Sequence, residues 1–333
     1  MAGTWQHGCL LKECMILRTL PFLMSIPVLF AAEGQPVLWV EPTDLTSRDL
    51  FYGSGGKEHD PKGPFTFLKE DLDGTNAKFE VKDPDGVKWK VKLGAETGPE
   101  TVASRLVWAV GYFTNEDYFL RDIAVIGLPG KLKRGQSLRL AGDKFDNVRL
   151  KRSEKGAKGE GYWKWKDNPF VKTREMNGLR TLMAVLNNWD LKDVNNSIIP
   201  RQDGSDIYLV KDLGASFGTD HLVRSHDVAK GNTESYKDSR FIVKKNTQTV
   251  DFATPGRPSL AFAINPHETF SRTSMQWIGD DIPVDDARWM GGLLGQLSAT
   301  QIREAFRAGG YGPEFTEAFA KVLEQRIADL KAL

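Results

Sequence analysis

The spacing of apolar residues changes near residue 168, and this change constrains the fold more than any other feature of the chain. Before it, short runs of alternating apolar and polar residues predict strands, interrupted by one helix. After it, apolar residues recur mainly at helical spacing. This order is typical of the α+β class rather than of alternating βαβ units. We therefore expect a two-lobed α+β fold, with a strand-rich N-terminal lobe at 33–167 and a mainly helical C-terminal lobe at 168–333.

Three early strands are predicted at 65–69, 77–82 and 87–93, and Pro84-Asp85-Gly86 is a hairpin signal between the last two. Alternation in the third strand places Trp89 and Val91 on one face and three lysines on the other. The helix that follows begins near 98 and ends at Gly111. Further strands are predicted at 123–128, 137–140, 148–151 and 162–165.

The second half begins with a predicted helix at 173–188, for which Thr173 is a suitable N-cap. A hairpin at 197–200 and 207–211 follows it, and residues 218–260 are polar and irregular. The C-terminal helices are predicted at 287–297, 299–308 and 313–333, the second of them capped by Ser298.

The charge balance excludes one class of partner. The 333 residues include 45 Lys and Arg against 44 Asp and Glu, a formal charge of +1. This balance lacks the basic character typical of chains that bind nucleic acid, so we expect no nucleic-acid partner. The two cysteines, Cys9 and Cys14, are too few for a disulfide framework or a cysteine-based zinc site.

The N-terminus has the pattern of an export signal. Lys12 and Arg18 precede a short apolar run at 20–32 that ends in Ala31 and Ala32. We expect residues 1–32 to be a signal peptide, which predicts a periplasmic or secreted protein. The alternative is an uncleaved anchor formed by residues 16–32, which would be the chain's contact with a membrane. Met15 is a second candidate start.

The most informative motif lies just after the helix at 173–188. There Asp190-Leu191-Lys192 is followed by Asn195, five residues after the aspartate. After the predicted hairpin comes Asp212-Leu213-Gly214. The first motif thus follows a predicted helix, and the second follows a predicted hairpin.

These two motifs resemble the catalytic loop and the D-F-G element of the protein-kinase-like superfamily, with Leu in place of Phe. The resemblance implies a kinase-like fold that binds ATP and Mg²⁺ between its lobes. It implies that Asp190 accepts the proton of the attacking hydroxyl and that Lys192 offsets charge on the γ-phosphate. Asn195 and Asp212 are then the Mg²⁺ ligands.

The resemblance also assigns residues upstream. Lys92, at the end of the third strand, is expected to hold the α- and β-phosphates, with Glu100 as its partner. Lys90 faces the same way and is the rival candidate. The phosphate-covering loop is expected between the first two strands, where backbone N–H groups of Gly74, Thr75 and Asn76 could meet phosphates; the three residues form the turn Gly74-Thr75-Asn76.

The chain departs from the classical kinase pattern. It has no Gly-x-Gly-x-x-Gly, no His-Arg before the catalytic aspartate and no Ala-Pro-Glu after the D-L-G element. It is more similar to the atypical branch, which includes phosphatidylinositol kinases, bacterial persistence-toxin kinases and secretory-pathway kinases. The resemblance implies an ATP-dependent phosphotransferase whose acceptor is a hydroxyl of a protein, a small molecule or a lipid.

Two alternatives remain open. One is a pseudokinase-like module that binds nucleotide with altered or lost catalysis. The other is a serine hydrolase, since Gly214-x-Ser216-x-Gly218 has the pattern of a nucleophile elbow. Asp227 and His267 follow it in the order that such a triad requires.

Overall fold

A computed structural model of the protein describes Met1 and residues 34–153, 161–218, 230–253 and 273–333. The predicted signal or anchor segment, apart from Met1, lies outside the described residues, as do Asp227 and His267. Residues 34–333 form one compact unit. The predicted division of this unit into lobes at 167 and 168 stays a prediction.

Most of the described strands precede residue 168. They are β1 (Gln35–Val37), β2 (Phe65–Asp71), β3 (Lys78–Lys82), β4 (Lys88–Lys92), β5 (Phe113–Thr114), β6 (Asp117–Ile126), β7 (Lys144–Arg152), β8 (Asn196–Pro200), β9 (Ser205–Val210), β10 (Ile242–Lys245), β11 (Thr249–Phe252) and β12 (Ile282–Pro283). The helices fall mainly after residue 168. They are α1 (Thr97–Ala109), α2 (Arg174–Val185), α3 (Thr233–Asp238), α4 (Val284–Leu294), α5 (Ala299–Ala308) and α6 (Pro313–Lys331).

Five strands close into a barrel in the order β2-β3-β4-β7-β6. Neighbouring strands are antiparallel except for β2 and β6, whose parallel pairing closes the barrel. Phe79, Val81, Trp89 and Val91 belong to its hydrophobic core and are nearly inaccessible to solvent. Because successive residues of a strand point to opposite faces, this leaves Lys90 and Lys92 of β4 on the other face.

A second sheet carries the hairpin that the sequence predicts. Its strand β9 pairs antiparallel with β8 and parallel with β1 and β5. Asn196 lies opposite Val210 in the hairpin. The residues on either side of this pair, Asn195 before β8 and Lys211 after β9, are therefore neighbours at one end of the sheet.

Two of the helices after residue 168, α2 and α5, begin at the predicted caps. The Thr173 hydroxyl accepts from the backbone N–H of Met176 at the start of α2. Ser298 and Gln301 form a reciprocal capping box at the start of α5. Between α2, α3 and α6, the buried Arg326 guanidinium donates to backbone carbonyls, among them that of Ala184 at 3.0 Å.

The predicted α+β class is confirmed: a strand-rich N-terminal region precedes a mainly helical C-terminal region. Two predicted strands are wrong. Residues 137–140 contain a 3-10 turn at Gln136–Leu138. Residues 162–165 form no strand, because Trp163 and Trp165 are buried by packing against the second sheet and the Trp163 indole donates to the Leu209 carbonyl. Within 218–260, the described part contains α3 and the hairpin β10–β11. Among the described residues, no helix combines the length and apolarity that crossing a membrane requires.

Candidate functional site

A buried ammonium group lies at the centre of the candidate site. Lys92 ends β4, and its side chain is 2% exposed. Its Nζ donates to Glu100 Oε2 and to Asp212 Oδ1, each at 2.8 Å, and it also contacts the Glu96 carboxylate. Burial alone would lower the pKa of Lys92, but the three carboxylates outweigh this effect and hold it above its usual range. Lys92 is therefore a permanent cation.

The Glu100 carboxylate is fixed from two sides. It lies in the first turn of α1 and is 1% exposed. Its Oε2 accepts from Lys92, and its Oε1 accepts from Arg149 of β7 at 2.8 Å. Burial would lower the pKa of Arg149, but Glu100 and Asp117 raise it above its usual range. Glu100 is thus a rigid anchor for Lys92 rather than a mobile counterion.

Asp212 approaches Lys92 from the end of β9. Its backbone is left-handed, with φ of 56°, a conformation that is uncommon outside glycine and signals a constrained position. Burial would raise its pKa, but the charge and hydrogen bond of Lys92 prevail and hold the pKa of Asp212 below its usual range. About half of its side chain stays accessible, which leaves the ionised carboxylate within reach of a ligand.

The residues that follow Asp212 explain the motif locally. Leu213 is buried in the main hydrophobic core and anchors the turn. Gly214 lies so close to α1 that a Cβ atom there would be 2.5 Å from the Cβ of Glu96. A glycine is therefore required for Asp212 to approach β4 and α1 closely.

A second group of predicted residues gathers in the loop after α2. The Asn188 side chain accepts from the backbone N–H of Asp190 at 2.9 Å. The Asn195 amide donates to the Asp190 carbonyl at 2.7 Å. Lys192 Nζ forms an ion pair with Asp190 Oδ1 at 2.7 Å, and both side chains are partly exposed. Asp190, Lys192 and Asn195 are therefore held together by one network.

Two backbone hydrogen bonds join this loop to the segment that carries Asp212. The N–H of Lys211 donates to the Asn195 carbonyl at 3.1 Å, extending the hairpin by one residue. The N–H of Trp189 donates to the Ala215 carbonyl at 3.1 Å. Asp190 and Asn195 are thus tied to the residues immediately before and after Asp212-Leu213-Gly214.

The predicted phosphate-covering loop lies between β2 and β3. Gly74 has a φ of 66°, and its carbonyl accepts from Arg134. Gly74 and Thr75 are exposed, whereas the Asn76 amide donates to Glu96 Oε2 at 2.7 Å. Of these three residues, Asn76 is therefore joined to the Lys92 cluster through its side chain.

The rival lysine lies apart from the cluster. Lys90 Nζ pairs with Asp71 of β2 at 2.6 Å. The Lys90 ammonium group is therefore paired with Asp71, whereas Lys92 is the lysine that contacts Glu100 and Asp212. The geometry therefore favours Lys92 over Lys90 as the functional lysine.

Sequence reasoning missed three residues of the cluster. Glu96 lies in the turn that joins β4 to α1, Arg149 lies in β7, and Lys230 contacts Glu96 Oε1 at 2.6 Å from 134 positions further along the chain. Lys230 Nζ also lies 5.7 Å from the ring centre of Trp189. No local pattern signals these contacts, because all three depend on the tertiary fold.

Ser216 does not have the surroundings of a nucleophile. Its side chain is 0% exposed, and within the described part of the chain its Oγ has no hydrogen-bond partner. A nucleophilic serine needs a base within hydrogen-bond reach and access for substrate. The burial of Ser216 removes the access.

Comparison with known proteins finds similarity among solved structures. No family model matches the chain, and no curated protein sequence shows significant similarity to it. Among solved structures, the chain is similar to the Helicobacter pylori proinflammatory kinase CtkA, with a TM-score of 0.45 and 12% sequence identity. That similarity covers 82% of this chain and 98% of that chain. It is too distant to indicate an activity, so the function has to be inferred from the side chains of the site.

Proposed function

We propose that this chain is an ATP-dependent phosphotransferase of the atypical kinase type. It transfers the γ-phosphate to a hydroxyl of a protein, small-molecule or lipid acceptor. The observation that carries the proposal is the convergence of Lys92, Glu100 and Asp212, which come from a strand, a helix and a loop. A buried lysine held between two carboxylates presents a fixed positive charge, which is what the phosphates of ATP require.

The residues near Asp212 are chemically suited to Mg²⁺. Asp212 and Asn195 offer carboxylate and amide oxygens, the hard ligands that Mg²⁺ prefers. The Asp212 carboxylate is ionised and about half accessible, which supports this role. When bound, Mg²⁺ neutralises charge on the phosphate oxygens. Asn195 is oriented for this purpose by its hydrogen bond to the Asp190 carbonyl.

The loop after α2 supplies the groups that act on the acceptor. The Asp190 carboxylate orients the acceptor hydroxyl and takes its proton as the new bond from oxygen to the γ-phosphorus forms. The bond between the γ-phosphorus and the bridging oxygen breaks, and ADP leaves. Lys192 is already paired with Asp190 and provides a positive charge beside the transferred group. Backbone N–H groups of the loop at Gly74, Thr75 and Asn76 cover the phosphates.

The binding part of the proposal is tested with Asp212→Asn. Asparagine tolerates the left-handed backbone at this position but carries no charge. Titration calorimetry of the full chain with ATP and Mg²⁺ is expected to show binding that weakens at least tenfold in this variant. Asp203→Asn, in the exposed turn of the same hairpin, is the matched control and should bind as the wild type does. Absence of Mg²⁺-dependent ATP binding, or wild-type binding by D212N, would contradict the proposal.

The catalytic part is tested with Asp190→Asn. Turnover is measured without knowledge of the natural acceptor, either as labelled phosphate released from γ-³²P-ATP when water is the acceptor or as label incorporated into the chain itself. We expect D190N to keep its ATP affinity within about threefold and to lose about a hundredfold or more in turnover. Binding without turnover by the wild type would overturn the enzymatic claim and leave a nucleotide-binding module.

We also propose that the chain is exported, on the basis of the basic and apolar pattern of residues 1–32. ATP is scarce outside the bacterial cytoplasm, so an exported kinase needs a compartment that supplies nucleotide. N-terminal sequencing of the protein from its native host tests this point. A mature N-terminus near residue 33 supports export, and one at Met1 or Met15 contradicts cleavage.

A further inference from the structure

The Glu96 carboxylate occupies a site built from positively charged and amide donors. Its Oε1 accepts from Lys230 at 2.6 Å, and its Oε2 accepts from Asn76 at 2.7 Å and contacts Lys92. The side chains of Lys92 and Lys230 are 2% and 8% exposed, so both ammonium groups are largely removed from water. Two buried ammonium groups and one amide that converge on a single anion form an oxyanion site.

Two donors of this site also belong to the proposed nucleotide site, and the third lies beside the loop that carries Asp190. Lys92 is the expected phosphate lysine, and Asn76 lies in the expected phosphate-covering loop. Lys230 lies 5.7 Å from the ring centre of Trp189, the residue before Asp190. A terminal phosphate group accepts hydrogen bonds from the same donors as a carboxylate, and it has one more oxygen atom. The donors around Glu96 are therefore suited to the polyphosphate of ATP.

We propose that Lys230 is a second phosphate-binding lysine and that Glu96 is an internal competitor that holds the phosphate site until nucleotide displaces it. This inference rests on the proposed function and adds its regulation. All contacts of Glu96 with these donors are made by its carboxylate oxygens, so displacing it requires a change of side-chain rotamer and not of the helix α1. Glu100 is a poorer candidate for displacement because Arg149 holds its second oxygen.

A metal site made of carboxylates is the competing interpretation. Oxygen atoms of Glu96, Glu100 and Asp212 lie within 4.8 Å of one another. However, Lys92 Nζ contacts all three, so these carboxylates already share an ammonium group as their cation. If Glu96 were a Mg²⁺ ligand, its removal would weaken Mg²⁺-dependent binding, whereas removal of a competitor strengthens the binding of a phosphate chain.

The test uses the full chain and inorganic tripolyphosphate in the presence of EDTA, with titration calorimetry as the measurement. We expect Glu96→Gln to bind tripolyphosphate about tenfold more tightly than the wild type and Lys230→Met to bind it about tenfold more weakly. The matched controls are Glu317→Gln and Lys69→Met, which remove one partner of ion pairs formed by Arg303 and Glu80. Both should bind as the wild type does.

A further variant guards against misfolding of E96Q. Glu96→Asp keeps the charge but draws it back by one methylene, so we expect a smaller gain in the same direction. Equal or weaker binding of tripolyphosphate by both Glu96 variants overturns the inference, as does wild-type binding by K230M.

The two proposals fail in different ways. If E96Q binds tripolyphosphate more tightly but neither protein binds ATP with Mg²⁺, the oxyanion site stands and the kinase proposal is wrong. If the wild type binds ATP with Mg²⁺ and D212N does not, while E96Q changes nothing, the kinase proposal stands and the competitor role of Glu96 is wrong.

Discussion

Arg149 donates to the Glu100 carboxylate over 2.8 Å, at the oxygen that Lys92 does not use. Both partners of this ion pair are almost completely buried, in β7 and α1. The contact therefore fixes the helix to the barrel at the point where the candidate site lies. An intact buried ion pair of this kind changes the free energy of unfolding little, whereas removing one partner destabilises the protein strongly.

We therefore expect Arg149→Met to lower the free energy of unfolding by about 3–5 kcal/mol, because Glu100 and Asp117 lose the buried guanidinium that they share. Arg288→Met is the control, since Arg288 forms an exposed ion pair with Asp285 and its loss should cost less than about 1 kcal/mol. Urea denaturation measures both. Adding Glu100→Gln to R149M should recover part of the loss, and equal effects of R149M and R288M would contradict the role of the buried pair.

The close approach of Gly214 to α1 gives a second prediction. A Cβ atom at this position would be 2.5 Å from the Cβ of Glu96, so Gly214→Ala must push the loop away from the helix. We expect a loss of about 1–3 kcal/mol in unfolding free energy. The control is Gly292→Ala in the exposed face of α4, where a Cβ atom meets nothing within 4 Å.

We expect the control variant G292A to change the free energy of unfolding in the opposite direction. An exposed glycine within a helix costs about 1 kcal/mol relative to alanine, so G292A should stabilise the protein by up to that amount. Thermal denaturation of both variants measures the contrast. Stabilisation by G214A would mean that the loop carrying Asp212 is not held against α1.

The parts of the fold that sequence predicts well are those in which one face of an element is buried. Alternation along β4 places Lys92 on the face of the strand opposite to that of Trp89 and Val91, because the latter two fill the barrel interior. The same reasoning fails at 162–165, where Trp163 and Trp165 alternate because they pack against the second sheet, without strand pairing. Alternating apolar residues indicate that one side of a segment is buried. A strand is one of several structures in which this occurs.

The candidate site shows the same limit. The spacing of Asp190, Lys192 and Asn195 identifies a loop because the contacts that join these three residues to one another are local. Glu96 and Lys230 form an ion pair although 134 positions separate them in the sequence. Each alone has the pattern of an ordinary charged surface residue. Their pairing depends on the turn after β4 and on the path of the chain after Asp212, which the tertiary fold alone determines.

The buried hydroxyl of Ser216 gives a third prediction. Its Oγ has no hydrogen-bond partner within the described part of the chain, so Ser216→Ala removes a desolvated polar group and should raise the unfolding free energy by about 1 kcal/mol. The control is Ser104→Ala, since the equally buried Ser104 hydroxyl donates to the Thr101 carbonyl at 2.9 Å. That variant should lose about 1 kcal/mol.

The same residue tests the hydrolase interpretation directly. A fluorophosphonate probe reacts with accessible, activated serines, and Ser216 is neither accessible nor paired with a base within the described residues. Mass spectrometry of the treated protein should therefore find Ser216 unmodified. Stoichiometric labelling of Ser216 would restore the hydrolase interpretation.

The buried Asp117 predicts how stability depends on pH. Burial raises the pKa of Asp117 to about 6, although Arg149 opposes the shift, whereas an unfolded aspartate titrates near 4. Between these values the folded state holds the proton more tightly, so this group makes the protein less stable as pH rises from about 4 to 6. Above about pH 6, Asp117 is ionised in both the folded and the unfolded state. Its ionisation then no longer changes the free energy of unfolding.

Asp117→Asn should abolish this contribution because the amide does not titrate. Urea denaturation at intervals from pH 4 to 7 gives the difference in unfolding free energy between D117N and the wild type. We expect the difference to shift in favour of D117N from pH 4 to 6 and to stay constant above. Loss of the contact with Arg149 adds an offset but no slope in this window, because Arg149 stays charged throughout. A difference that is flat from pH 4 to 6 would show that Asp117 ionises as readily in the folded protein as in the unfolded chain.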